Sequence, residues 1–473
     1  MSDNQNDTDF DYDIVIIGAG GGGITSAFEA QRRGAKVALL EKYKIGGECT
    51  HSGCVPSKAL IDVAKTYYAI ESAPKHGLHE VDVASGFEFS RAMEHVKSII
   101  DGVYAHEQPE RFNKLGIDTY IDPSGAKFVD AHTVQIGDDQ ITGANFIIST
   151  GSGPRLLPTE GDQPVPFLNN ENFWDIRELP EKIAFLGGGV ISAELGQSLA
   201  RFGSQVTIID RNDRILASVD PDIAGHLIEQ FEEQGIEMIT SADATVCSTD
   251  ADGKICIDIE EGPEGAKTER KLTVDQLFIA IGRVPHIDGL ELEAAGVEYT
   301  RHGVTVDDQM QTSVPHIYAL GDVASREKFS HVANYQGERV VRNILDGGGR
   351  TMDLTALPWA IFSDPEIGHV GMTEAEAREI HGDSIQISTV DAATDRFITD
   401  TKVGGMIKVV MGADNVILGA TGVGAHAGEW IQALTLAVRL GLKAEDIADT
   451  IFSYPTYTEV VKKSASRFLR TKL

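Results

Sequence analysis

Residues Asp13–Lys42 read DIVIIGAGGGGITSAFEAQRRGAKVALLEK, and this stretch decides the fold. An apolar run enters Gly18-x-Gly20-x-x-Gly23, a helical pattern follows, and a second apolar run ends at the acid Glu41, 23 residues after Gly18. Strand, glycines, helix, strand and terminal carboxylate in that order form the dinucleotide-binding fingerprint in its required setting. The glycines permit a tight turn and a close approach of backbone to a pyrophosphate. The helix N-terminus faces the negative charge, and Glu41 is placed to accept a hydrogen bond from a ribose hydroxyl.

A second copy lies at 182–216, KIAFLGGGVISAELGQSLARFGSQVTIIDRNDRIL. Gly187-x-Gly189-x-x-Ser192 again joins a strand to a helix, and Asp210 closes the next strand 23 residues after Gly187. Two such units imply two nucleotide sites. A carboxylate at Asp210 favours a free ribose 2′-hydroxyl, hence NAD, because it repels a 2′-phosphate. The adjacent Arg211, with Arg214 close by, offers that phosphate a guanidinium. NADH is therefore the leading expectation, with NADPH left open.

The segment Gly46–Lys58, GGECTHSGCVPSK, holds two of the chain's four cysteines, Cys49 and Cys54, at the start of a helical pattern, with Lys58 one turn further on. On a straight helix their spacing separates the two Cα atoms by roughly 7.5 Å, beyond the about 7 Å at which a disulfide forms. Gly53 lets the backbone leave helical geometry, and Pro56 is tolerated in a first helical turn. A helix follows with Ala59, Leu60, Val63, Ala64 and Tyr67 on one face. Its N-terminal N–H groups favour thiolate, so the pair suits cycling between dithiol and disulfide. A structural disulfide or two buried thiols is the alternative.

Three further glycine turns end apolar runs: NFIISTGSGP with Thr150 and Gly151, DQLFIAIGRVPHI with Gly282 and Arg283, and HIYALGDVAS with Gly321 and Asp322. A carboxylate at Asp322 can bind a polyol hydroxyl. After about residue 355 the glycine fingerprints cease; the strand-rich GGMIKVVMGADNVILGATGVG precedes the apolar-striped AGEWIQALTLAVRLGL, which reads as a separate α+β domain. Cys247 and Cys256 lie in strand-like stretches and read as core.

Composition narrows the partners. With 41 basic and 72 acidic residues among 473, the formal charge of −31 repels nucleic acid and anionic membrane, and suits a solvated surface. The start, MSDNQNDTDFDYD, lacks the basic and apolar regions of a signal peptide, and no apolar run is long enough to span a bilayer. A cytoplasmic protein is expected, where a disulfide is more often catalytic than structural. No resident metal site is expected.

Taken together, GAGGGG, GGECTHSGCVPSK, GGGVISAE, AIGRVP, YALGD and FSDPEIGHVG resemble, in order and over nearly the whole chain, the class I pyridine nucleotide-disulfide oxidoreductases of the glutathione reductase and dihydrolipoamide dehydrogenase type. The resemblance implies an α/β fold with two Rossmann-like domains, 1–155 with 281–354 for FAD and 156–280 for NAD(P), and a homodimerising α+β domain at 355–473. It implies that Gly18, Gly20, Gly23, Glu41, Thr150, Gly151, Gly321 and Asp322 serve FAD, and that Gly187, Gly189, Ser192, Asp210, Arg211 and Gly282 serve NAD(P)H. Cys54 is then the thiol against the flavin and Cys49 the interchange thiol. Lys58 and Glu194 form an ion pair beside the flavin, and hydride from NAD(P)H reduces the disulfide by way of the flavin.

The branch is read from FSYPTYTEVV, where disulfide reductases usually carry a His-Pro base supported by a Glu. Here Tyr454-Pro455 stands with Glu459, and a tyrosine of pKa about 10 is a poor proton acceptor at neutral pH. Tyr454 resembles the mercuric reductases, in which it helps hold a soft metal ion. Yet the usual terminal cysteine pair of that branch is not found in SRFLRTKL. The expected acceptor is a small molecule or metal ion on the mercuric-reductase-like side. The alternatives are a dihydrolipoamide dehydrogenase with its base replaced by Tyr454, a soluble transhydrogenase-like diaphorase, and a flavin-bound redox sensor. His51, between the two cysteines, is either a local acid or base or a solvated residue at a helix start.

Overall fold

The computed structural model describes residues 10–156, 165–263, 266–402 and 404–471. The chain forms two compact units. One comprises the segments ending at Pro56, His95–Arg155 and Gly282–Met352; the other comprises Ser57–Glu94, Leu156–Ile281 and the chain from Asp353 onward.

The first unit is built on a seven-stranded sheet. Tyr12–Ile17 lies between Val37–Glu41 and Asp139–Ile148, parallel to both, and Ile117–Ile121 continues the parallel order beyond Val37–Glu41. The ten-residue strand Asp139–Ile148 does double duty: its first half pairs with the antiparallel Thr133–Ile136, its last three residues with the parallel Ile317–Ala319. Ile14, Val15, Ile16, Leu39, Leu40, Ile147 and Ile148 are inaccessible to solvent, as a sheet covered on both faces requires. The carboxyl ends of these parallel strands carry the glycine turns, so Gly18, Ser149–Gly151 and Gly321 converge at one end of the sheet, the place where such folds bind ligands.

The second unit contains a four-stranded parallel sheet in the order Glu237–Ile239, Gln205–Ile209, Lys182–Leu186, Gln276–Ile279, and a three-stranded antiparallel sheet of Ala242–Thr249, Ile255–Glu261 and Thr268–Val274. It also contains the five-stranded antiparallel sheet Pro358–Ile361, Glu366–Gly371, Ile417–Gly424, Met406–Met411, Gln386–Asp391. The apolar-striped segment after this sheet is helical in two pieces, Ala427–Trp430 and Gln432–Leu440, joined through Ile431 in helical dihedrals and stopped at Gly441. Cys247 and Cys256 sit on neighbouring strands opposite Ile257 and Ser248, one residue out of step, and therefore on opposite faces. Cys247 packs against the apolar core; Cys256 faces Thr273, so the expectation of core holds for the first and only partly for the second.

Candidate active site

Both fingerprints fold into the same local geometry. Gly18 has φ +101°, and a Cβ there would lie 2.5 Å from the Ser149 carbonyl oxygen; Gly187 has φ +98°, with the Ala280 oxygen at 2.4 Å. Helix Gly21–Arg32 starts after Gly20 (φ −78°, ψ −171°), and helix Val190–Arg201 after Gly189 (φ −84°, ψ −170°), neither with a side-chain cap. A Cβ on Gly20 would meet only the Gly47 Cα, at 4.0 Å, and one on Gly189 would meet nothing within 4 Å. Each is thus a cradle of first-turn N–H groups without a side-chain cap beside open space, which fits the pyrophosphate of FAD or NAD(P)H. The third positions differ: Gly23 is pressed against the Gly18 oxygen, whereas Ser192 turns its hydroxyl into a hydrogen bond to the Gly187 oxygen.

The acids close each cradle. Glu41 accepts from the Ala19 N–H (2.7 Å) through one oxygen and from Lys42 and Tyr43 N–H (2.8 and 3.0 Å) through the other. Asp210 accepts from Gly188 N–H through one oxygen and from Asn212 backbone and side chain (2.7 Å each) through the other. Beside it, the Arg214 guanidinium donates to the carbonyls of Leu216 (2.7 Å), Ala217 (3.0 Å) and Val219 (2.7 Å). Arg211 pairs with Asp243 at 2.6 Å. Neither arginine stands ready for a 2′-phosphate in this arrangement.

In the first unit, Cys49 lies in the short helix Gly47–His51, and Cys54 opens helix Cys54–Glu71 after a break at Ser52–Gly53. The break brings backbone close to backbone: a Cβ on Gly53 would lie 3.1 Å from the Glu48 oxygen and 3.5 Å from the Cys49 Cα. Crowding, rather than a left-handed turn, therefore selects glycine. Neither thiol is in a disulfide; Cys49 is half-buried and Cys54 exposed. The Ser330 hydroxyl, at the first turn of helix Ser330–Asp346, lies 3.6 Å from the Cys54 sulfur and also bonds Cys49. The hydrogen bond with Cys54, together with burial, holds the Cys49 thiol well above its ordinary pKa, while Ser330 works in the opposite direction. His51 bonds the Ile45 carbonyl (2.9 Å) and sets its ring edge-on to Tyr104 at 4.9 Å.

A charged chain adjoins this turn. The Arg283 guanidinium bonds both oxygens of Glu48, the residue before Cys49, and donates through Nε to the Ser152 hydroxyl (2.7 Å). Ser152 donates to Asp322 at 2.6 Å, and Lys328 donates to the Asp322 carbonyl at 3.1 Å. Gly321 (φ +69°) donates its N–H to Gln336, and Thr150 donates to the His286 carbonyl at 2.7 Å beside Gly151 (φ +73°). Gly282 (φ +117°) also lies in this first unit, its carbonyl accepting from Arg155 N–H, whereas Gly187, Gly189, Ser192, Asp210 and Arg211 lie in the second. Ser330, Glu48 and Ser152 were not singled out in the sequence; their partners lie between 131 and 276 residues away.

In the second unit, Lys58 Nζ lies 2.8 Å from the buried Glu194 carboxylate and 4.6 Å from the centre of the Phe362 ring. The other Glu194 oxygen accepts from the Phe362 N–H at 2.9 Å. Near the C-terminus Tyr454 is 70 % exposed and its hydroxyl donates to Asp395 at 2.6 Å. That hydrogen bond raises its pKa further, so Tyr454 is held protonated. Glu459 opens helix Glu459–Thr471 and accepts from the Thr456 N–H at 3.1 Å. Tyr454 is thus oriented by Asp395, and Glu459 by its own turn.

Two nucleotide cradles and a pair of adjoining reduced thiols define a nucleotide-dependent redox protein. Residues 12–337 match the family described as pyridine nucleotide-disulphide oxidoreductase, and residues 357–465 match the dimerisation domain of that family. The chain belongs to this family, the class I FAD-binding oxidoreductases that use NAD(P)H, and the second match supports a homodimer. It is 33 % identical to a mercuric reductase of Staphylococcus aureus over 94 % of this chain and 80 % of that one. It is also 33 % identical to a dihydrolipoyl dehydrogenase of Geobacillus stearothermophilus over 95 % of both. Among solved structures, a Cu(II) complex of the HOCl-induced flavoprotein disulfide reductase RclA from Escherichia coli superposes with TM-score 0.83 at 28 % identity, covering 96 % of this chain and 99 % of that one. Among the described residues, no helix is long and apolar enough to cross a membrane.

Proposed function

We propose that this flavoprotein uses NAD(P)H to reduce the Cys49–Cys54 pair, and that the pair delivers electrons to a thiophilic metal ion, on the mercuric-reductase-like side of the family. The observation that carries this reading is Tyr454. The residue where the family usually places a histidine base donates its only proton to Asp395 and is held protonated. Exchange with a dithiol substrate needs a proton acceptor; a soft cation needs only two sulfurs. The mercuric reductase relative and the Cu(II) complex of the solved relative support the same class of acceptor.

FAD bound at Gly18, Gly20, Gly23 and Glu41 supplies a two-electron carrier between nicotinamide and sulfur. The chain's own groups do the remainder. Thr150, Gly151, Gly321 and Asp322 present polar backbone and a carboxylate for that cofactor's polyol, and Gly187, Gly189, Ser192, Asp210, Arg211 and Gly282 serve NAD(P)H. Lys58, fixed by Glu194, contributes a positive charge to offset charge built up on reduction. Cys54 receives the electrons and Cys49 presents them outward, with Ser330 donating to whichever sulfur is charged. For mercury the overall balance is NAD(P)H plus Hg(II) giving NAD(P)+, Hg(0) and one proton. The domains proceed as 1–155 with 281–354 for FAD, 156–280 for NAD(P)H, and 355–473 for dimerisation, where Tyr454 and Glu459 line the approach for the acceptor.

Dihydrolipoamide oxidation is the second reading, favoured by the match over 95 % of both chains. The test is a panel of Hg(II), Cu(II), lipoamide and thio-NADP offered to NADH-reduced, FAD-loaded protein. Metal-dependent NADH oxidation that vanishes in both Cys49→Ser and Cys54→Ser is expected, with lipoamide turnover that rises about 100-fold in Tyr454→His. Lipoamide turnover in the unaltered protein equal to that with metal would overturn the assignment.

A further inference from the structure

We propose that Glu48, clamped by Arg283, is a positioning residue that sets how readily the Cys49–Cys54 pair ionises, a task the C-terminal base position does not perform in this chain. The inference rests on the proposed role of the pair as the redox centre. Glu48 directly precedes Cys49 in helix Gly47–His51, and both of its oxygens are held by the Arg283 guanidinium. The same guanidinium donates to the Ser152 hydroxyl and carbonyl, each at 2.7 Å, and lies 3.4 Å from Asp322. Arg283 is thus fixed from three sides, and its side chain is only 18 % exposed. The helix carrying Cys49 cannot shift without breaking a two-pronged, charge-assisted contact.

The charges around the turn fix the sign of the effect. Glu48 and Asp322 are the acids, Arg283 and Lys328 the bases, and the Ser330 hydroxyl touches the sulfurs. His51 is engaged by the Ile45 carbonyl, and Glu107 accepts from Thr50. Burial raises the Glu48 pKa and Arg283 works against it, with the charges of Asp322 and of a Cys54 thiolate adding to the rise, so Glu48 and Cys54 act on each other electrostatically. By reciprocity, the Glu48 carboxylate disfavours thiolate at Cys54 by the same coupling. With Glu48 present, Arg283 is balanced by two carboxylates; with Glu48 removed, it keeps Asp322 at 3.4 Å, and the less balanced cation favours thiolate.

The experiment measures iodoacetamide alkylation of the dithiothreitol-reduced, FAD-loaded full chain against pH, each sulfur assigned by mass spectrometry. Glu48→Gln is expected to move the alkylation midpoint down by about one pH unit, roughly tenfold in thiolate below the midpoint. Arg283→Met is expected to move it up, and the charge-neutral double variant to return it near the starting value. Glu48→Asp, which keeps the charge, should leave it close to the unaltered protein. A purely structural role for Glu48 produces shifts that share a sign or fail to cancel, and that pattern refutes the proposal. Should Glu48→Gln fold poorly, Glu48→Asp and Arg283→Met still decide the sign, since a midpoint unmoved by losing Arg283 also refutes it. Chemically reduced protein makes this readout independent of electron flow. If NADH instead exposes no new thiols, the redox reading of the pair fails while the electrostatic one stands or falls on the midpoints.

Discussion

Replacing Asp210 should open the second cradle to NADPH, and the geometry allows the gain to be sized. Asp210 is pinned at the strand end by Gly188 and Asn212, so it cannot swing away from a bulkier ribose. A 2′-phosphate attached where the hydroxyl meets this carboxylate places its charge about 5 Å away, and in a water-like medium two units of charge at that range cost about 1.5 kcal/mol. Loss of the charge-assisted hydrogen bond from the ribose hydroxyl adds about 1.5 kcal/mol. The sum, about 3 kcal/mol, corresponds to a preference for NADH of roughly 100-fold or more in kcat/KM. Asp210→Ser removes both contributions and should bring the two coenzymes within about tenfold. Arg214 will not assist, because its guanidinium is held by three or more carbonyls, but Arg211, 80 % exposed, pairs with Asp243 among the described residues. Asp243→Asn added to Asp210→Ser should therefore favour NADPH further, whereas Asp243→Asn with Arg211→Ala should not. The assay is steady-state NADH and NADPH oxidation with one acceptor, alongside direct binding of 2′,5′-ADP to the resting protein. Equal use of both coenzymes by the unaltered chain, or no change in the ratio on losing Asp210, would refute the reasoning.

The other expectations concern single contacts. Cys49→Ser and Cys54→Ser should each abolish acceptor turnover while leaving the bleaching of bound FAD by NADH intact, measured anaerobically in a rapid-mixing spectrophotometer. Glu194→Ala should destabilise the second unit by about 1 kcal/mol more than Glu194→Gln, because only alanine leaves the partly buried Phe362 N–H unpaired; thermal denaturation reads the difference. Lys408, 7 % exposed, bonds Asp222 (2.7 Å) and Glu374 (3.0 Å) and lies 3.7 Å from Asp220, one of whose oxygens is buried without a hydrogen bond. Lys408→Met should cost about 3–5 kcal/mol and Asp220→Asn nearly nothing. Burial raises the Asp220 pKa, and contacts with Asp222 and Glu374 raise that of Lys408 against the opposing effect of burial. A raised acid loses folded-state advantage as pH climbs from the ordinary carboxylate value to its folded one, and a raised base loses it above the ordinary lysine value. Both signs make stability fall with rising pH, Asp220 in the acid range and Lys408 in the alkaline range, and Asp220→Asn should remove the first component.

What could be read from the sequence, and what could not, divides along chain distance. The fingerprints were legible because all their determinants lie within 30 residues: the strand, the glycine at positive φ and the acid that closes on the second glycine's neighbour are neighbours along the chain as well as in space. The cysteine turn was legible for the same reason, although Gly53 proved to be required by crowding against Glu48 and not by an unusual backbone angle. Ser330 reaches Cys54 across 276 residues, Arg283 reaches Glu48 across 235, and Asp395 reaches Tyr454 across 59. A hydrogen bond between such partners needs one donor and one acceptor at one place, and leaves no period or spacing behind it.

The comparison of Gly23 with Ser192 shows how this limit arises from the physics. A Cβ at Gly23 would stand 2.0 Å from the Gly18 oxygen, so in the second cradle, where Ser192 carries a Cβ at the corresponding place, the turn must stand farther off, and the serine hydroxyl bridges to it by donating to the Gly187 oxygen. The helix start keeps similar dihedrals at Gly20 and Gly189, but it meets the turn by direct backbone contact in one copy and through a hydroxyl in the other. Local patterns tolerate such exchange only when the replacement supplies its own partner. By that logic, Ser192→Ala should disturb the second cradle more than Ser192→Gly, since alanine keeps the separation and loses the bond that spans it, whereas glycine lets the turn close. Weaker NADH binding by the alanine variant than by the glycine variant is the expected result of isothermal titration, and the reverse order would show that the hydroxyl serves the coenzyme rather than the turn.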